Sequence, residues 1–545
     1  MPTVTLSYET VKSGIGKKLS DAELKERISM LGTDLESLSK DGIVVEVFPN
    51  RPDMLSEFGF IRALRSFLGV EPGLKHYKAK SSGKRVIVKP SVLKVRPYTA
   101  CAIVKNLKLD DERIQQLIQL QEKLHLSHCR DRAKGAIGIY PSDKIKYPIE
   151  FFAEDPSKVA FVPLGETRKM NGLEILRKHK AGKAYAHLLS GKSKFPFFRD
   201  AAGKIMSMPP IINSEFTGKI TEATTEVFIE CSGFDLNFLK KLLNIIICEL
   251  SDMGGEIYSM ELVYPNKHVR TPELKPERMK LSTEYVYRML GQRVNIKACL
   301  ERMGHSYENG MVLVPCYRVD ILHPIDLVED IAIAHGYENF EPELPNISTI
   351  GTEVQIEKLK RIIAQLMIGL GFMEVATFNV TNNTIQRERM QLKGGIIEFS
   401  NYKSSEYSGL RQSMIASLLE VLERNTKHEY PQKVFDMGTL FFKNDKEETG
   451  VLEEEWLGVL LSGKIEDFTK AKQTLEYVLS GFGLSCKIEP VEHPSFIHGR
   501  VGEIRVKHRV LGIIGELHPA VLTRFKLEMP VAGFELNLNK LIELL

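Results

Sequence analysis

The chain has 545 residues, of which 43% are hydrophobic and 26% are charged, and its formal net charge is +4 at pH 7. This length predicts about three to four domains, and the composition is that of a globular protein that buries sizeable cores. The net charge is too small to identify a nucleic-acid-binding protein, so any basic surface must be local.

Cysteine usage and hydropathy predict the compartment. The chain has seven cysteines, an odd number, and none forms a C-x-x-C pair. This pattern argues against a zinc ribbon and against a disulfide scaffold, so we expect a reducing cytoplasm. The first residues lack the apolar segment of a secretory signal, and apolar runs such as residues 242–250 are too short to span a bilayer. We therefore expect no membrane association.

Residues 1–85 are expected to form an N-terminal α+β domain. Ser20 and Glu23 have the spacing of a capping box at the start of a helix. Residues 43–48 predict a buried strand, and an apolar helix follows it. The charged stretch 75–85, which contains glycine and serine, is typical of a linker.

A second domain is expected over residues 86–265. It begins with strands, continues with a helix at 110–124, and ends with a helix at 235–253 and a closing strand. Mixed strands and loops lie between the two helices, and two motifs in this part contain candidate functional residues.

The first motif is a row of basic residues before an apolar strand, Arg130, Arg132 and Lys134. Alternate residues of an extended chain face one side, so the three could contact phosphates together. Solvated charges on a loop are at least as good an interpretation from the sequence alone.

The second motif is SMPPIINSEFTG at 207–218. Its two consecutive prolines disfavour a helix at that point. Asn213, Ser214 and Glu215 follow directly, so a rigid wall beside three polar side chains could line a pocket for a polar ligand. A surface turn between strands is the alternative, because turns of this composition are common.

Residues 266–345 are expected to form a helical domain that contains an acidic cluster. Its members are Asp320, Asp326, Glu329 and Asp330. Pro324 suits the first turn of a helix, and the last three acids share one face of that helix. Carboxylate oxygens are the ligands that Mg²⁺ prefers. Acids in a first helical turn are also stabilised by the helix dipole without a metal, and the spacing alone slightly favours this second interpretation.

Residues 346–545 predict a fourth domain. Thr352 and Gln355 have capping-box spacing, and many strand-like runs follow, interrupted by helices at 410–425 and 466–482. Few strand–helix–strand alternations occur, so the pattern indicates an α+β fold with a mostly antiparallel sheet. Arg411 could hold a phosphate or a carboxylate, or it could be an exposed arginine in the first turn of a helix.

These motifs, taken in order, resemble the beta subunit of phenylalanyl-tRNA synthetase in its shorter archaeal and eukaryotic form. The resemblance rests on VFPNRPDML (47–55), SMPPIIN (207–213), VFIECSG (227–233), YRVDILHPIDLVEDIAIAHGY (317–337), NYKSSEYSGLRQS (401–413), VFDMGTLFF (434–442) and PSFIHGR (494–500). The segments are collinear and span nearly the whole chain, and the last four are the most specific.

The resemblance implies a subunit of an α₂β₂ heterotetramer that joins phenylalanine to tRNA(Phe) with ATP. The alpha subunit would bind ATP and phenylalanine and carry the synthetic site. In this chain, residues 86–265 would form an editing domain that hydrolyses tyrosine wrongly attached to that tRNA. The implied Mg²⁺ ligands are Asp320, Asp326, Glu329 and Asp330, near the alpha subunit.

We expect seven residues in the editing pocket: Asn213, Ser214, Glu215, Glu230, Ser232, Arg130 and Lys134. Glu215 or Glu230 could accept a hydrogen bond from the tyrosine hydroxyl, while Asn213 and Ser214 could orient the ester or a water molecule.

The fourth domain, 346–545, resembles a class II synthetase fold without its catalytic arginines. Such a site needs arginines to hold ATP and the activated carboxylate, and residues 434–442 and 530–540 contain none. We therefore expect no synthetic chemistry in this chain. The alternative from another class is a freestanding nucleic-acid-binding or scaffold protein built from the same modules. A third possibility is a subunit that still assembles but no longer edits.

Overall fold

The computed structural model describes residues 2–346 and 349–545. The chain divides into two compact units, unit 1 (Met1–Leu344) and unit 2 (Pro345–Leu545). Both combine helices with sheets, as the predicted multidomain α+β class requires. Within the described ranges, no helix is both long enough and apolar enough to span a bilayer.

Unit 1 contains α1 to α11 and β1 to β18. The helices are α1 (Tyr8–Gly14), α2 (Asp21–Met30), α3 (Glu57–Phe67), α4 (Asp111–Leu126), α5 (Gly172–Lys178), α6 (Lys180–Tyr185), α7 (Glu215–Gly218), α8 (Leu236–Asp252), α9 (Thr283–Leu290), α10 (Ile296–Arg302) and α11 (Pro324–His335). The strands are β1 (Thr3–Leu6), β2 (Asp34–Ser39), β3 (Gly42–Glu46), β4 (Ala79–Val88), β5 (Tyr98–Lys105), β6 (Gly135–Pro141), β7 (Ile149–Glu154), β8 (Ala160–Phe161), β9 (Met170–Asn171), β10 (Phe195–Arg199), β11 (Ile205–Met208), β12 (Ile212–Asn213), β13 (Val227–Gly233), β14 (Glu256–Val263), β15 (His268–Thr271), β16 (Glu277–Lys280), β17 (Ser306–Glu308) and β18 (Met311–Val314).

The largest sheet of unit 1 has ten strands. Nine follow the order β12-β11-β10-β7-β4-β14-β5-β13-β6, and β15 also pairs with β14. Strand β13 lies between β5 and β6 and is antiparallel to both, which places Glu230 opposite Cys101 on one side and Gly138 on the other. Helix α8 packs on β5 and β13 through buried side chains such as Leu242 and Ile246. Full burial of each such side chain contributes about 1.5–3 kcal/mol, so α8 fixes the strands that carry the site.

The three domains predicted within unit 1 share a hydrophobic core. Its members include Val45, Leu242 and Leu327, one from each predicted domain. The boundaries at residues 85 and 265 therefore stay a prediction.

The predicted linker at 75–85 is wrong. Strand β4 begins at Ala79 and pairs in parallel with β14 and β7. The first half of β4 is mostly exposed, so charged and small residues are tolerated there. Both of its partners are distant in the sequence, and local composition carries no information about such pairing.

Unit 2 contains α12 to α16 and β19 to β28. The helices are α12 (Gln355–Gly369), α13 (Met414–Arg424), α14 (Phe468–Ser480), α15 (Pro519–Arg524) and α16 (Leu538–Ile542). The strands are β19 (Met373–Glu374), β20 (Val380–Thr381), β21 (Ile397–Glu398), β22 (Gly409–Leu410), β23 (Gln432–Lys443), β24 (Val451–Ser462), β25 (Lys487–Pro490), β26 (Phe496–Val506), β27 (Arg509–Leu517) and β28 (Val531–Asn537).

Unit 2 is built on a seven-stranded sheet with the order β19-β23-β24-β28-β27-β26-β25. All its pairings are antiparallel except that of β19 with β23. Alternating apolar residues such as Leu457, Val459 and Phe534 pack against α12 and α14. The mostly antiparallel sheet was therefore predictable from strand periodicity.

Helix starts show where side-chain capping decides a boundary. The predicted capping box of Ser20 and Glu23 is present at α2, with both reciprocal bonds made. The box predicted for Thr352 and Gln355 is wrong, because α12 starts after Val354, whose side chain has no polar atom to cap it. The apolar stripe of α12 is enough to specify that helix through packing.

Candidate functional site

A cavity of about 400 Å³ lies in unit 1 beside β13. We call it the Glu230 cavity. Its walls come from α4, β6, α6, the turn between β11 and β12, and β13. The predicted proline wall lines it through Pro209 and Pro210, together with Asn213 and Glu230. Ligand cavities of small molecules typically measure about 300–1,000 Å³.

Glu230 is buried in the middle of β13. Burial raises the pKa of its carboxyl group to about 8, although the positive charge of Arg96 opposes that rise. Gly138 makes room for it, because a Cβ atom at this position would lie 2.6 Å from Oε1 of Glu230. At neutral pH the carboxyl group is therefore mostly uncharged. Its Oε2 atom has no hydrogen-bond partner in the part of the chain that the structure describes.

The hydroxyl group of Tyr140 connects three polar side chains behind this wall. It donates towards Oγ of Ser207 at 2.8 Å, and Oδ1 of Asn213 and Oε1 of Glu230 each lie 3.2 Å from it. A hydroxyl group donates only one hydrogen, so these three acceptors share it.

His125, at the end of α4, is a cavity residue that the sequence motifs did not reveal. Its Nε2 atom accepts the N–H group of Ile137 at 2.8 Å, so the hydrogen of the neutral ring is on Nδ1. Burial, helped by the positive charges of Arg132 and Arg96, lowers the pKa of His125 to about 3. Nδ1 is thus a permanent donor, and it has no acceptor among the described residues.

Arg132 crosses the cavity wall. Its Nη1 atom donates to the carbonyl oxygens of Pro210 and Ile211 at 3.1 and 2.9 Å, and its guanidinium group stacks on Tyr185 with Cζ 4.2 Å from the ring centroid. Its Nε–H group is buried without an acceptor in the described ranges. Arg132 therefore brings a fixed positive charge and an unused donor to the cavity.

The structure places Arg130 and Lys134 outside the cavity wall, which contradicts the predicted basic row. Arg130, Asp131 and Arg132 have φ values of 49°, 52° and 64°, so the segment is a left-handed turn and not an extended chain. Alternation of side chains does not apply there. Arg130 is exposed, and the amino group of Lys134 lies 4.1 Å from the ring centroid of Phe238.

Three further predicted pocket residues have contacts away from the cavity surface. Ser232 accepts hydrogen bonds from Arg96, at 3.1 Å through Oγ and at 2.6 Å through its carbonyl oxygen. The N–H group of Ser214 donates to Met206 at 2.8 Å. Glu215 accepts the N–H group of Gly165 at 2.8 Å. These residues position the walls, and they do not themselves line the cavity.

A second cavity of unit 1, of about 570 Å³, brings the four predicted magnesium ligands together. We call it the acidic cavity. Its lining includes Asp320, Asp326, Glu329 and Asp330.

Two of these acids are already paired with one buried arginine. Arg318 donates to both oxygens of Asp320, at 2.8 and 2.7 Å, and to Asp330 at 2.8 Å. Nε2 of His305 lies 2.7 Å from the same Asp330 oxygen. Burial opposes ionisation of Asp330, but Arg318 and His305 hold its pKa at about 2. Asp320 and Asp330 therefore form an ion-pair cluster of their own.

The other two acids keep room for a cation. One oxygen of Asp326 accepts the N–H groups of Leu322 and His323, at 2.8 and 2.7 Å, and one oxygen of Glu329 accepts the hydroxyl group of Tyr337 at 2.9 Å. Within residues 2–346 and 349–545, no three His, Cys, Asp or Glu side chains are placed to hold a metal ion. Two carboxylates and several water molecules suit Mg²⁺, so Asp326 and Glu329 fit that ion, and the set of four ligands stays a prediction.

In unit 2, Arg411 is not the exposed arginine of one sequence interpretation, and the carboxylate that it contacts belongs to Asp436 of the protein itself. It is buried and precedes α13, and its Nε atom donates to the carbonyl oxygen of Thr439 at 2.9 Å. Its Nη1 atom lies 2.6 Å from Oγ1 of Thr377 and 3.3 Å from Asp436. A Cβ atom at Gly438 would lie 2.1 Å from its Nη2 atom. The guanidinium group thus lies directly against strand β23.

A buried acid closes the same region. Glu535 on β28 accepts the hydroxyl group of Ser413 at 2.5 Å and the N–H group of Ile415 at 2.6 Å. We call Arg411, Asp436, Thr377, Glu535 and Ser413 the Arg411 cluster. Its members form two hydrogen-bonded groups, Arg411 with Thr377 and Asp436, and Glu535 with Ser413, as in a structural core.

The chain is similar to known proteins along nearly its whole length. The family model of the phenylalanyl tRNA synthetase beta chain CLM domain matches residues 341–538, and that of the tRNA synthetase B5 domain matches residues 279–337. The phenylalanine–tRNA ligase beta subunit of Thermococcus gammatolerans is 38% identical over 99% of both chains. That of Archaeoglobus fulgidus is 38% identical over 99% of this chain and 98% of its own length. A crystal structure of an N-terminal fragment of the Pyrococcus horikoshii beta subunit is 36% identical, with a TM-score of 0.59, and covers 61% of this chain and 99% of the fragment.

Proposed function

The chain belongs to the family of phenylalanine–tRNA ligase beta subunits and is thus part of an aminoacyl-tRNA synthetase, and we propose that its Glu230 cavity hydrolyses tyrosine wrongly joined to tRNA(Phe). One observation carries this proposal. Oε2 of Glu230, Nδ1 of His125 and Nε of Arg132 are buried at one cavity, and none has a protein partner in the described ranges. Buried polar atoms are nearly always paired, so three unpaired ones at one cavity indicate a polar ligand.

The three atoms match the chemistry of a tyrosyl ester. The neutral carboxyl group of Glu230 forms a hydrogen bond with the phenol group of tyrosine through its free Oε2 atom. The donors of His125 and Arg132 suit the carbonyl oxygen of the ester, where negative charge develops during hydrolysis. Phenylalanine offers no hydroxyl group to Glu230, so the cavity discriminates against the correct product by leaving a buried polar group unpaired.

Editing has a physical reason. A synthetic pocket for phenylalanine rejects an analogue with one added hydroxyl group only weakly, and a second pocket that selects for this group corrects the error. In the hydrolysis, a water oxygen bonds to the ester carbonyl carbon and the bond from that carbon to the ribose oxygen breaks. Tyrosine leaves as the acid, and the ribose oxygen takes the proton.

The protonation states exclude two residues as the base that activates the water. His125 carries its hydrogen on Nδ1 and has a pKa of about 3, and Glu230 has a pKa of about 8 and is mostly protonated at pH 7. Both serve as fixed hydrogen-bonding groups. Catalysis at this cavity therefore rests on orientation and on stabilisation of the developing oxyanion.

Unit 2 is proposed to be a class II synthetase fold that serves as a scaffold. The side chains of the Arg411 cluster are bonded to other protein groups, and no arginine is present at 434–442 or 530–540. An alpha-subunit partner in an α₂β₂ tetramer would then bind ATP and phenylalanine and charge the tRNA. Asp326 and Glu329 would hold Mg²⁺, which supplies positive charge at a strongly acidic surface near that partner.

The test uses the chain assembled with its alpha subunit and purified Tyr-tRNA(Phe). We expect rapid deacylation, and we expect Glu230→Met, which removes every hydrogen-bonding atom of the carboxyl group, to retain phenylalanine charging while it loses discrimination between Tyr-tRNA and Phe-tRNA. A parent enzyme that leaves Tyr-tRNA intact contradicts the proposal and supports a subunit that assembles without editing. Failure to co-purify with any synthetase alpha subunit supports the freestanding scaffold.

A further inference from the structure

Unit 1 contains a strongly basic segment whose charge the proposed function has not used. Residues 165–194 include eight lysines and arginines and only two acidic residues, Glu166 and Glu174. The formal charge of this segment, +6, exceeds the net charge of +4 of the entire chain. We call residues 165–194 the basic segment.

Most of these basic side chains form no ion pair with the described residues of the chain. Arg168 and Lys178 both pair with Glu174, at 3.9 and 3.4 Å. Other basic side chains of the segment are exposed and have no ion-pair partner among the described residues: Lys169, Arg177, Lys180, Lys183 and Lys194. A solvated helix face ordinarily mixes both signs, as residues 17–27 do in this chain.

The basic segment borders the Glu230 cavity. Ala181 on α6 lines it, as does Leu164 just before the segment. Nε2 of His179 lies 3.3 Å from the carbonyl oxygen of Leu164, which ties the start of α6 to that wall. Tyr185 at the other end of α6 stacks under Arg132. Helix α6 therefore runs along the rim, with Lys180 and Lys183 one turn apart.

An exposed aromatic ring lies on the adjoining wall. Phe216 is 57% exposed and belongs to α7, whose last residue, Gly218, lines the cavity. The side chain of Glu215 binds Gly165, which holds α7 against the start of the basic segment. Lysines and arginines for phosphates, combined with an exposed ring for a base, are the features with which proteins hold single-stranded nucleic acid.

We propose that the basic segment binds the phosphates of the single-stranded 3′ end of the tRNA while its esterified amino acid enters the Glu230 cavity. This inference rests on the hydrolytic function proposed above. It assigns the strand contact to α5 and α6, and it explains how a chain of small net charge presents a local basic surface to a polyanion.

The test compares two triple variants of the chain, each assembled with its alpha subunit. The first removes three charges from the segment: Arg177→Gln, Lys180→Gln and Lys183→Gln. The matched control removes three exposed charges elsewhere in unit 1: Lys17→Gln, Lys18→Gln and Lys25→Gln. The substrates are Tyr-tRNA(Phe) and tyrosyl-adenosine, an ester that has no phosphate.

We expect the first variant to raise KM for Tyr-tRNA roughly tenfold or more and to leave kcat unchanged. It should also reduce the salt dependence, lowering the slope of log affinity against log salt by about 2, since each single-strand phosphate contact contributes about 0.7. Its hydrolysis of tyrosyl-adenosine should equal that of the parent, and the control should match the parent on both esters.

Two results overturn the inference: equal KM values for the two triple variants, or an equal loss by the first variant on both esters, which would indicate a structural effect. A parent that hydrolyses neither ester refutes the proposed function instead. In that case fluorescence anisotropy with labelled, uncharged tRNA still decides the inference, because equal affinities of the two variants contradict it.

Discussion

The Glu230 cavity of unit 1 and the Arg411 cluster of unit 2 both bury charged and polar side chains, but they differ in what these side chains bind. In the cavity, atoms of Glu230, His125 and Arg132 have no protein partner within the described residues. In the cluster, Arg411, Asp436 and Glu535 bind neighbouring protein groups. An unpaired buried polar atom costs about 1–3 kcal/mol. This cost is tolerated where a bound ligand supplies the missing hydrogen bond. We therefore interpret the first region as a binding site and the second as a structural scaffold.

The largest expected effect is a loss of stability in unit 2. Arg411→Met leaves the carboxyl group of Asp436 buried without a cation, so we expect the free energy of unfolding of unit 2 to fall by about 3–5 kcal/mol. Urea denaturation of the full chain measures this. The matched control is Arg424→Met, because Arg424 is exposed on α13 and its ion pair with Glu420 contributes at most about 1 kcal/mol. Equal losses in the two variants would remove the distinction between cluster and surface.

The next effect concerns Gly138. In Gly138→Ala, the new methyl group would lie 2.3 Å from the hydroxyl oxygen of Tyr140 and 2.6 Å from Oε1 of Glu230. We expect hydrolysis of tyrosyl-adenosine to fall about a hundredfold, and stability to fall by about 1–3 kcal/mol through overpacking. Gly369→Ala is the control, since its methyl group on α12 meets open space and should be neutral or stabilise by up to about 1 kcal/mol. Full activity of Gly138→Ala would show that Glu230 is not part of the reaction.

Two neighbouring arginines give a sharper test of the cavity wall. Arg132→Gln removes the fixed charge and the unused Nε–H group, and we expect hydrolysis of tyrosyl-adenosine to fall about tenfold, the effect of losing roughly 1.4 kcal/mol of transition-state stabilisation. Arg130→Gln, two residues away and exposed, should change the rate less than about twofold. The assay is steady-state kinetics, and a reversed order of the two effects would restore the predicted basic row.

The last effect is a pH dependence from Glu230. Its folded pKa of about 8 lies above its ordinary value of 4.5, so its protonated form stabilises the fold and this stabilisation is lost as pH rises from 4.5 to about 8. Each pH unit in this window costs about 1.4 kcal/mol at most. Glu249, whose burial raises its pKa to about 7, contributes in the same direction. The parent should therefore lose more stability between pH 6 and pH 8 than Glu230→Gln does, and parallel curves from thermal unfolding would contradict the assignment.

Local patterns predicted local structure well. The capping box at Ser20 and Pro324 at the start of α11 are both present, because each depends on residues within one turn. The proline wall at 209–210 also lines a cavity, since consecutive prolines restrict the backbone whatever surrounds them.

Contacts between distant segments could not be predicted. His125 looks like an ordinary helical residue until β6 places the N–H group of Ile137 on its ring. The sequence does not identify Arg318 as the partner of Asp320 and Asp330, although Arg318 stands two residues before Asp320, because its burial depends on unit 1 as a whole. The one usable signal was Arg132 itself, a basic residue close to an apolar strand.

The position of Arg411 over Gly438 limits what evolution can do with unit 2. If this unit descends from a catalytic fold, one new arginine on β23 would not recover a nucleotide site, because the Arg411 side chain already fills the volume above the strand. Arg411 would have to be lost first, and that step costs about 3–5 kcal/mol. A typical domain has only about 5–15 kcal/mol of stability. Variants that have lost Arg411 but have not yet regained a nucleotide site would therefore be poorly folded. If the chain depends on a separate catalytic partner, as proposed, that dependence would therefore be difficult to reverse.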